Sequence, residues 1–505
     1  MTNHIVAYSR ENGGRVLILF LLFFLAMYQF ITAGLPALAI VCIIPLVIPF
    51  IYAAFQWRMF TFWVLILINY FIQMKDVSLP GPKSMYNELL ELLLIGIAII
   101  DIRKATYFER LGNLMFLAIL VWCTFCTIEV FNDTCGLGID IGGWYTGARM
   151  MAIQLLYACI IFTLYITEPD VLIKYLRIWA ILCLFSFFWT WKQQTFGFTT
   201  AESIWLETRG RTTHIINGGT LTRYWSTFND AACYGCHAAA AAVTFFVISL
   251  TTKIKRDRIF FLITALLVTK GMLASGTRTA MFCLIGGFLV FLVLSRSVKI
   301  LIPSAIIGGF LFSLLIFTNI GQGNQQIRRM RSAFDKNDAS ANVRDINKAT
   351  IKKYIADAPW GLGLAASYDN VPANNKYKKL STIPPDSEYV YIWVHTGIIG
   401  ITTFLILTAI MFVGACWIVM FKIRNQSLMG IGAGFCCAFA SIQLGGYANQ
   451  ILMQFPNCLT FYGGLAIVYI LPYIEPAWVE LEKKRLTEQE ERKRLKLEKK
   501  LAKRV

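Results

Sequence analysis

Residues 397–421 read GIIGITTFLILTAIMFVGACWIVMF, 25 consecutive positions without a charge, and Lys422 and Arg424 follow directly. A helix rises about 1.5 Å per residue and the hydrocarbon core of a bilayer is about 30 Å thick, so this stretch is long enough to cross one. Similar apolar runs recur along the whole chain. They account for a composition of 57% hydrophobic and 14% aromatic residues among 505, with only 15% charged, where soluble proteins carry about 25%. A water-soluble globular protein is excluded.

Working outward from 388–421, further candidate spans fall at 16–34, 35–55, 59–74, 86–100, 111–131, 149–166, 173–191, 230–250, 259–274, 279–295, 300–318, 428–447 and 457–473, fourteen in all. The fold expected is an all-α polytopic transmembrane helical bundle of about 12–14 spans, with a partly helical outer-face loop between late spans. Arg10 and Arg15 precede Val16–Ala33, which is too long for a signal-peptide core and reads as a retained first helix. With a cytoplasmic N-terminus, alternate loops hold Arg58, Arg103/Lys104/Arg110, Lys174, Lys253/Lys255/Arg256/Arg258, Arg296/Lys299 and Lys422/Arg424. Positive charge then collects on the cytoplasmic side, and both termini lie there.

The formal net charge of +18 would suggest nucleic acid in a soluble chain, but its placement in short loops indicates membrane topology instead. Residues 1–478 read as the membrane domain and 479–505 as a basic cytoplasmic tail with eleven Lys/Arg and six Glu. The tail reads as a solvated helix drawn to anionic headgroups, or as a partner-binding coiled coil. The thirteen cysteines lie mostly in apolar runs and imply no disulfide framework. Cys233-Tyr-Gly-Cys236-His237 has the spelling of a c-type haem attachment site, but it leads into Ala238–Ala242 on an apolar helix, where packing alone suits small residues. The four histidines are dispersed and no metal-ligand spacing is present; no cofactor is expected.

Two long loops fall on the outer side in this frame, 192–228 and 319–387. In the second, Ser340 reads as an N-cap, Val343, Ile346, Thr350 and Tyr354 recur at helical spacing, and Ala358-Pro359 ends the run before the turn Pro359-Trp-Gly-Leu-Gly363. Four constellations could carry chemistry. Ala274-Ser-Gly-Thr-Arg278-Thr-Ala280 is a polar hinge whose Arg278 either grips an anionic group with its fork of donors or snorkels to the interface. Arg344 opens the loop helix, with Arg328, Arg329 and Arg331 upstream, and Arg209, Arg211 and Arg223 cluster in the first loop. Outer arginines run against the positive-inside trend, so an anionic ligand or lipid contact must account for them.

The fourth constellation, Pro384-Pro-Asp386-Ser387-Glu388-Tyr389, leads into a span with Trp393, His395, Gly397 and Gly400. Asp386, Tyr389, Trp393 and Gly397 are expected along one helical stripe, with the glycines allowing close packing. Asp386 is a candidate general base or a helix N-cap; Glu388 and then His395 are the next candidates, and Ser387 and Tyr389 possible support.

In this order the motifs resemble the O-antigen ligase and O-antigen polymerase superfamily, most clearly over about 270–405 and more weakly at 225–245. The ligase pattern of His, then Asn/Ser/Gln, nine residues, Gly, two residues and Gly/Thr/Tyr is matched by Ser387, Gly397 and Gly400, with Asp386 in place of the His. The resemblance implies a membrane glycosyltransferase of polysaccharide or lipopolysaccharide biosynthesis in the bacterial inner membrane, working on its periplasmic side. It implies undecaprenyl-diphosphate-linked glycan as donor and a saccharide or lipid A-core acceptor as partner. Arg278 and Arg344 match arginines that engage the donor diphosphate, with Arg223 joining them, and Asp386 takes the catalytic position. The alternative is a polysaccharide flippase or other multi-spanning transporter, which would need charged groups along a central cavity; here mid-span charges are few, chiefly Glu88, Glu91 and Glu129.

Overall fold

The computed structural model describes residues 49–79, 82–100, 106–216, 221–295, 339–383 and 386–501, with scattered positions between 13 and 28 and between 302 and 331. The greater parts of the expected spans at 16–34, 35–55 and 300–318 lie outside the described residues, as do Pro384 and Pro385. The chain divides into two units, 1–64 and 65–505; the site described below lies in the second.

In chain order the helices are α1 (Arg58–Phe71), α2 (Lys83–Ile100), α3 (Leu114–Ile128), α4 (Ile141–Ala148), α5 (Gln154–Tyr165), α6 (Pro169–Thr195), α7 (Thr200–Trp205), α8 (Arg211–His214), α9 (Ala231–Thr251), α10 (Lys255–Ala274), α11 (Arg278–Leu294), α12 (Ala339–Ile355), α13 (Lys378–Thr382), α14 (Glu388–Trp417), α15 (Gln426–Ala448) and α16 (Gly463–Leu501). A two-residue antiparallel hairpin, β1 (Ile215–Ile216) and β2 (Leu221–Thr222), is the one sheet among the described residues. The all-α polytopic bundle is therefore the fold.

Among the described residues seven helices are long and apolar enough to cross a membrane, eight if one bent pair counts as a span. The expected spans at 86–100, 259–274 and 279–295 do form, as α2, α10 and α11, but they are not among the seven. Lys83, Glu88 and Glu91 put three charges on α2, α10 carries Lys255, Arg256, Asp257, Arg258 and Lys270, and α11 has 17 residues.

Helix α9 is the hub. Its buried Ala238–Ala242 run lets α10, α11 and α15 approach closely. At the α15 contact a Cβ on Gly434 would stand 3.0 Å from the Thr244 methyl, while Thr244 Oγ1 donates to the Gly434 carbonyl at 3.0 Å. Ser441 of α15 likewise donates to the Cys283 carbonyl of α11 at 2.8 Å. These two hydroxyls thus find backbone partners across the bundle. Glu88 is similarly compensated, by Arg149 at 3.2 Å and Gln154 at 3.3 Å.

The haem-like motif is a packing element of this hub. Cys233, Cys236 and His237 are all buried. Trp179 donates to His237 Nε2 at 3.3 Å, which leaves Nδ1 to donate to Asn457 Oδ1 at 2.8 Å, so neither ring nitrogen is left for an iron.

At one end of the bundle, the tail is tied down. Helix α16 runs unbroken through the expected boundary at 478/479, and Glu482 meets Lys253 at 3.2 Å and Asn425 Nδ2 at 2.8 Å. Arg485 pairs with Asp257, which also holds Arg177 at 2.8 Å. The first turns of the tail are therefore docked on the first turn of α10 and the residues just before it, and are not freely solvated. At the opposite end the segments 75, 132–140, 205–230, 274–278, 344–375, 386–387 and 446–453 meet one another, which is the grouping the sequence assigns to one membrane face.

Candidate active site

The hinge between α10 and α11 is built on the start of α9. Gly276 has φ +58°, a left-handed conformation that suits glycine, and a Cβ there would crowd Arg223 Cγ at 3.3 Å. Thr277 Oγ1 donates to the Ala231 carbonyl at 2.8 Å and accepts from Arg223 at 3.0 Å. Arg223 also donates to the Thr213 carbonyl at 2.9 Å, and Arg329 Nε donates to the Gly276 carbonyl at 2.7 Å. The Nε of Arg223 is buried with no hydrogen-bond partner among the described residues. Burial holds this guanidinium below its ordinary pKa; Asp230 opposes the shift, and the nearby charges of Arg278 and Arg344 add to it. Like charges crowded beside an unpaired donor, at the first turn of α11, make an arrangement whose natural complement is an anion.

Two residues that the motifs did not single out support this end. His214 accepts from the Ala231 backbone N–H through Nε2 at 3.2 Å and faces the Gly210 carbonyl with Nδ1 at 3.2 Å, capping α9 as a neutral imidazole. Burial, with the Arg223 charge, pushes its pKa down to about 4. Lys75 donates to Asn229 at 2.8 Å and lies 3.9 Å from the Trp205 ring centroid; burial pushes its ammonium down to about 8. Neither belongs to a spaced motif, so only their contacts identify them.

Helix α12 brings Arg344 to the carboxylate. Arg344, Asn347, Lys348 and Ile351, spaced i, i+3, i+4 and i+7, line one cleft with Asp386, Ser387, Val390, Tyr447 and Ala448. Asp386 Oδ2 accepts from Asn347 Nδ2 at 3.1 Å. The helix expected from the spacing of Val343, Ile346, Thr350 and Tyr354 forms; along that spacing Ile346 is 65% exposed while Tyr354 packs against the buried cluster of Ile351 and Ile355. Ser340 falls inside the helix, one residue past its start, rather than before it as a cap.

Asp386 is not an N-cap either. Helix α14 starts at Glu388 and its N-cap is Ser387, whose hydroxyl donates to the Gly446 carbonyl at 3.1 Å. The expected single stripe from Asp386 to Gly397 is interrupted at both ends, because Asp386 precedes the helix and Gly397 breaks it with φ 64° and ψ −168°. The break is filled by the Pro359–Gly363 turn. Leu362 N–H donates to Val394 O at 2.9 Å, Gly363 N–H to His395 O at 3.0 Å, and Ile399 N–H to Pro359 O at 3.3 Å. The turn thus replaces the hydrogen bonds the helix loses there.

The remaining candidates are occupied by the scaffold. Glu388 is buried and accepts from the Leu452 backbone N–H at 2.9 Å, facing the 451–453 segment. Tyr389 donates to Gln443 Oε1 at 2.8 Å. His395 is held by the Gly363 carbonyl at 3.1 Å and meets the Tyr391 ring at a tilt of 57°, with ring centroids 4.5 Å apart. Arg223, Arg278 and Arg344 are brought together, and Arg344 with Asp386; Glu388, Tyr389 and His395 are not joined to that group. Among the described residues no three His, Cys, Asp or Glu side chains group as a metal site.

The stretch that holds the hinge, the α12 face, Asp386 and the broken helix is the part of the chain that resembles a known family. Residues 260–405 match the O-antigen ligase family. That agrees with the resemblance placed on about 270–405 and puts this segment in the O-antigen ligase and polymerase superfamily. No curated protein matches the chain. The O-antigen ligase segment is under a third of the chain, and Arg223, Tyr447 and the 451–453 backbone lie outside it. Among the described residues seven helices are long and apolar enough to cross a membrane, one of them beginning inside the matched segment, so the segment belongs to a multi-pass membrane protein.

Proposed function

We propose that this chain is a metal-independent transferase of the O-antigen ligase or repeat-unit polymerase type, moving a glycan from undecaprenyl diphosphate to an acceptor hydroxyl. The acceptor is lipid A-core or a growing polysaccharide, and the reaction runs at the periplasmic side of the bacterial inner membrane. One observation carries the reading: Arg344 lines the same cleft as Asp386 while its charge also acts on Arg223, which supports treating the carboxylate and the arginines as parts of one site.

The chemistry follows from the groups present. Arg223, Arg278 and Arg344 bind the diphosphate and stabilise the negative charge that builds on it as the sugar C1–oxygen bond breaks. Asp386 accepts the proton of the acceptor hydroxyl as its oxygen bonds to C1. Asn347 orients the carboxylate through the 3.1 Å hydrogen bond. The products are the extended or transferred glycan and undecaprenyl diphosphate. Arginine charge does here what a divalent ion does in other transferases, so a chelator should leave the rate unchanged.

The test is incubation of the purified protein with undecaprenyl-diphosphate oligosaccharide, with and without lipid A-core and with and without EDTA. Elongated lipid-linked glycan identifies a polymerase and core-bound glycan a ligase. Neither product would refute the transferase and return attention to a flippase.

A further inference from the structure

The cleft that holds Asp386 extends to the end of α15. Tyr447, at the end of α15, lines it and is 63% exposed. The Lys348 ammonium sits 4.6 Å from its ring centroid and 3.4 Å from its hydroxyl. The backbone beneath it is pinned on several sides. Ser387 binds the Gly446 carbonyl at 3.1 Å, Glu388 N–H donates to Asn449 O at 3.3 Å, and a Cβ on Gly446 would lie 2.8 Å from Leu452. An exposed aromatic ring on so constrained a support is a preorganised platform.

The order of groups along α12 says what the platform faces. Arg344 is at the end near the other arginines, and Lys348 comes one turn later, about 6 Å along the helix axis, close to the width of one pyranose ring. Asp386 stands between them, bonded to Asn347. A sugar ring has an apolar C–H face and a rim of hydroxyls. Tyr447 offers an aromatic face for the first, and Lys348 and Asn347 offer donors for the second.

We infer that Tyr447 and Lys348 form the subsite for the acceptor saccharide ring, placing its hydroxyl at Asp386 on the side away from the diphosphate. This rests on the transferase reading above and extends it to a residue outside the family segment. Tyr447 is a binding and positioning residue; it takes no proton.

The experiment is steady-state transfer by the full-length protein in nanodiscs, with undecaprenyl-diphosphate oligosaccharide held saturating and core or repeat-unit oligosaccharide varied. Tyr447→Ala should raise the acceptor KM about ten-fold, the scale of one aromatic stacking contact, and leave the donor KM unmoved. Tyr447→Trp and Tyr447→Phe should restore it, and Lys348→Gln should raise the acceptor KM alone. An unchanged acceptor KM for Tyr447→Ala, or a rise confined to the donor, would overturn the subsite and leave Tyr447 an interfacial anchor. A parallel saturation-transfer titration with the same free oligosaccharides separates the two readings. If wild type makes no product, the transferase reading fails; the subsite then stands only if saccharide signal is seen on wild type and lost on Tyr447→Ala, and falls if both bind alike or neither binds.

Discussion

Gly361 and Gly397 touch backbone to backbone, each in the left-handed region with φ 78° and 64°, and a Cβ built on either would collide with the other's main chain. This contact joins the loop that follows α12 to the helix that carries Asp386 at its entrance, and so sets the distance across the cleft.

A side chain at Gly397 should therefore be costly. The backbone conformation alone costs a non-glycine residue about 1–3 kcal/mol, before any displacement of Pro359. Gly397→Ala should lower the thermal midpoint in detergent and abolish transfer, whereas Gly96→Ala, with nothing within 4 Å of the added Cβ, should leave both near wild type. Equal midpoints for the two variants would remove the turn from its structural role.

Arg278→Lys keeps the charge but loses the planar fork. Transfer should drop roughly 10²-fold, the scale of removing one donor from a preorganised anion site, with folding and insertion intact by size-exclusion profile. Near wild-type transfer would return Arg278 to a snorkelling role.

Asp386 and Glu388 should separate cleanly. Asp386→Asn removes the proton acceptor while keeping an oxygen for Asn347, so the rate should fall by a factor on the order of 10²–10⁴ with the thermal midpoint unchanged. Glu388→Gln weakens the acceptor that holds the Leu452 N–H, so the midpoint should fall and the rate per folded molecule should change far less. The reverse ranking would place the base elsewhere.

His214 links pH to stability. Its folded pKa of about 4 lies below the unfolded value of about 6.5. Between those values the unfolded chain binds a proton that the folded chain does not, so stability is full above pH 6.5 and declines as pH falls toward 4. The loss approaches about 3 kcal/mol. Thermal midpoints measured from pH 7.5 to 4.5 should fall less steeply for His214→Asn than for wild type; parallel profiles would show that the imidazole is protonated in the fold.

Topology is tested by labelling. Lys376→Cys should react with a membrane-impermeant maleimide added to intact spheroplasts, and Lys493→Cys only after permeabilisation. The opposite pattern would put the arginines and Asp386 on the cytoplasmic side and end the proposed reaction.

The helical class, the positions of most of the described apolar helices and the order of the hinge arginine, the loop-helix arginine and Asp386 were all legible in the sequence. Each depends on local properties: the length of an apolar run, the spacing of small residues, the sign of charge in a loop. Tertiary structure decided which way side chains turn. Asp386 and Glu388 are two positions apart, yet one opens on Arg344's cleft and the other is buried against Leu452, because the chain enters α14 between them at Ser387. Gly397 looked like a helix-packing glycine and is a break filled by a distant turn, since a lost helical hydrogen bond in an apolar setting must be replaced from somewhere. Tyr447, Lys75 and His214 carry no motif at all; their places in the site come from contacts between segments far apart in the chain, which no local pattern of residues encodes.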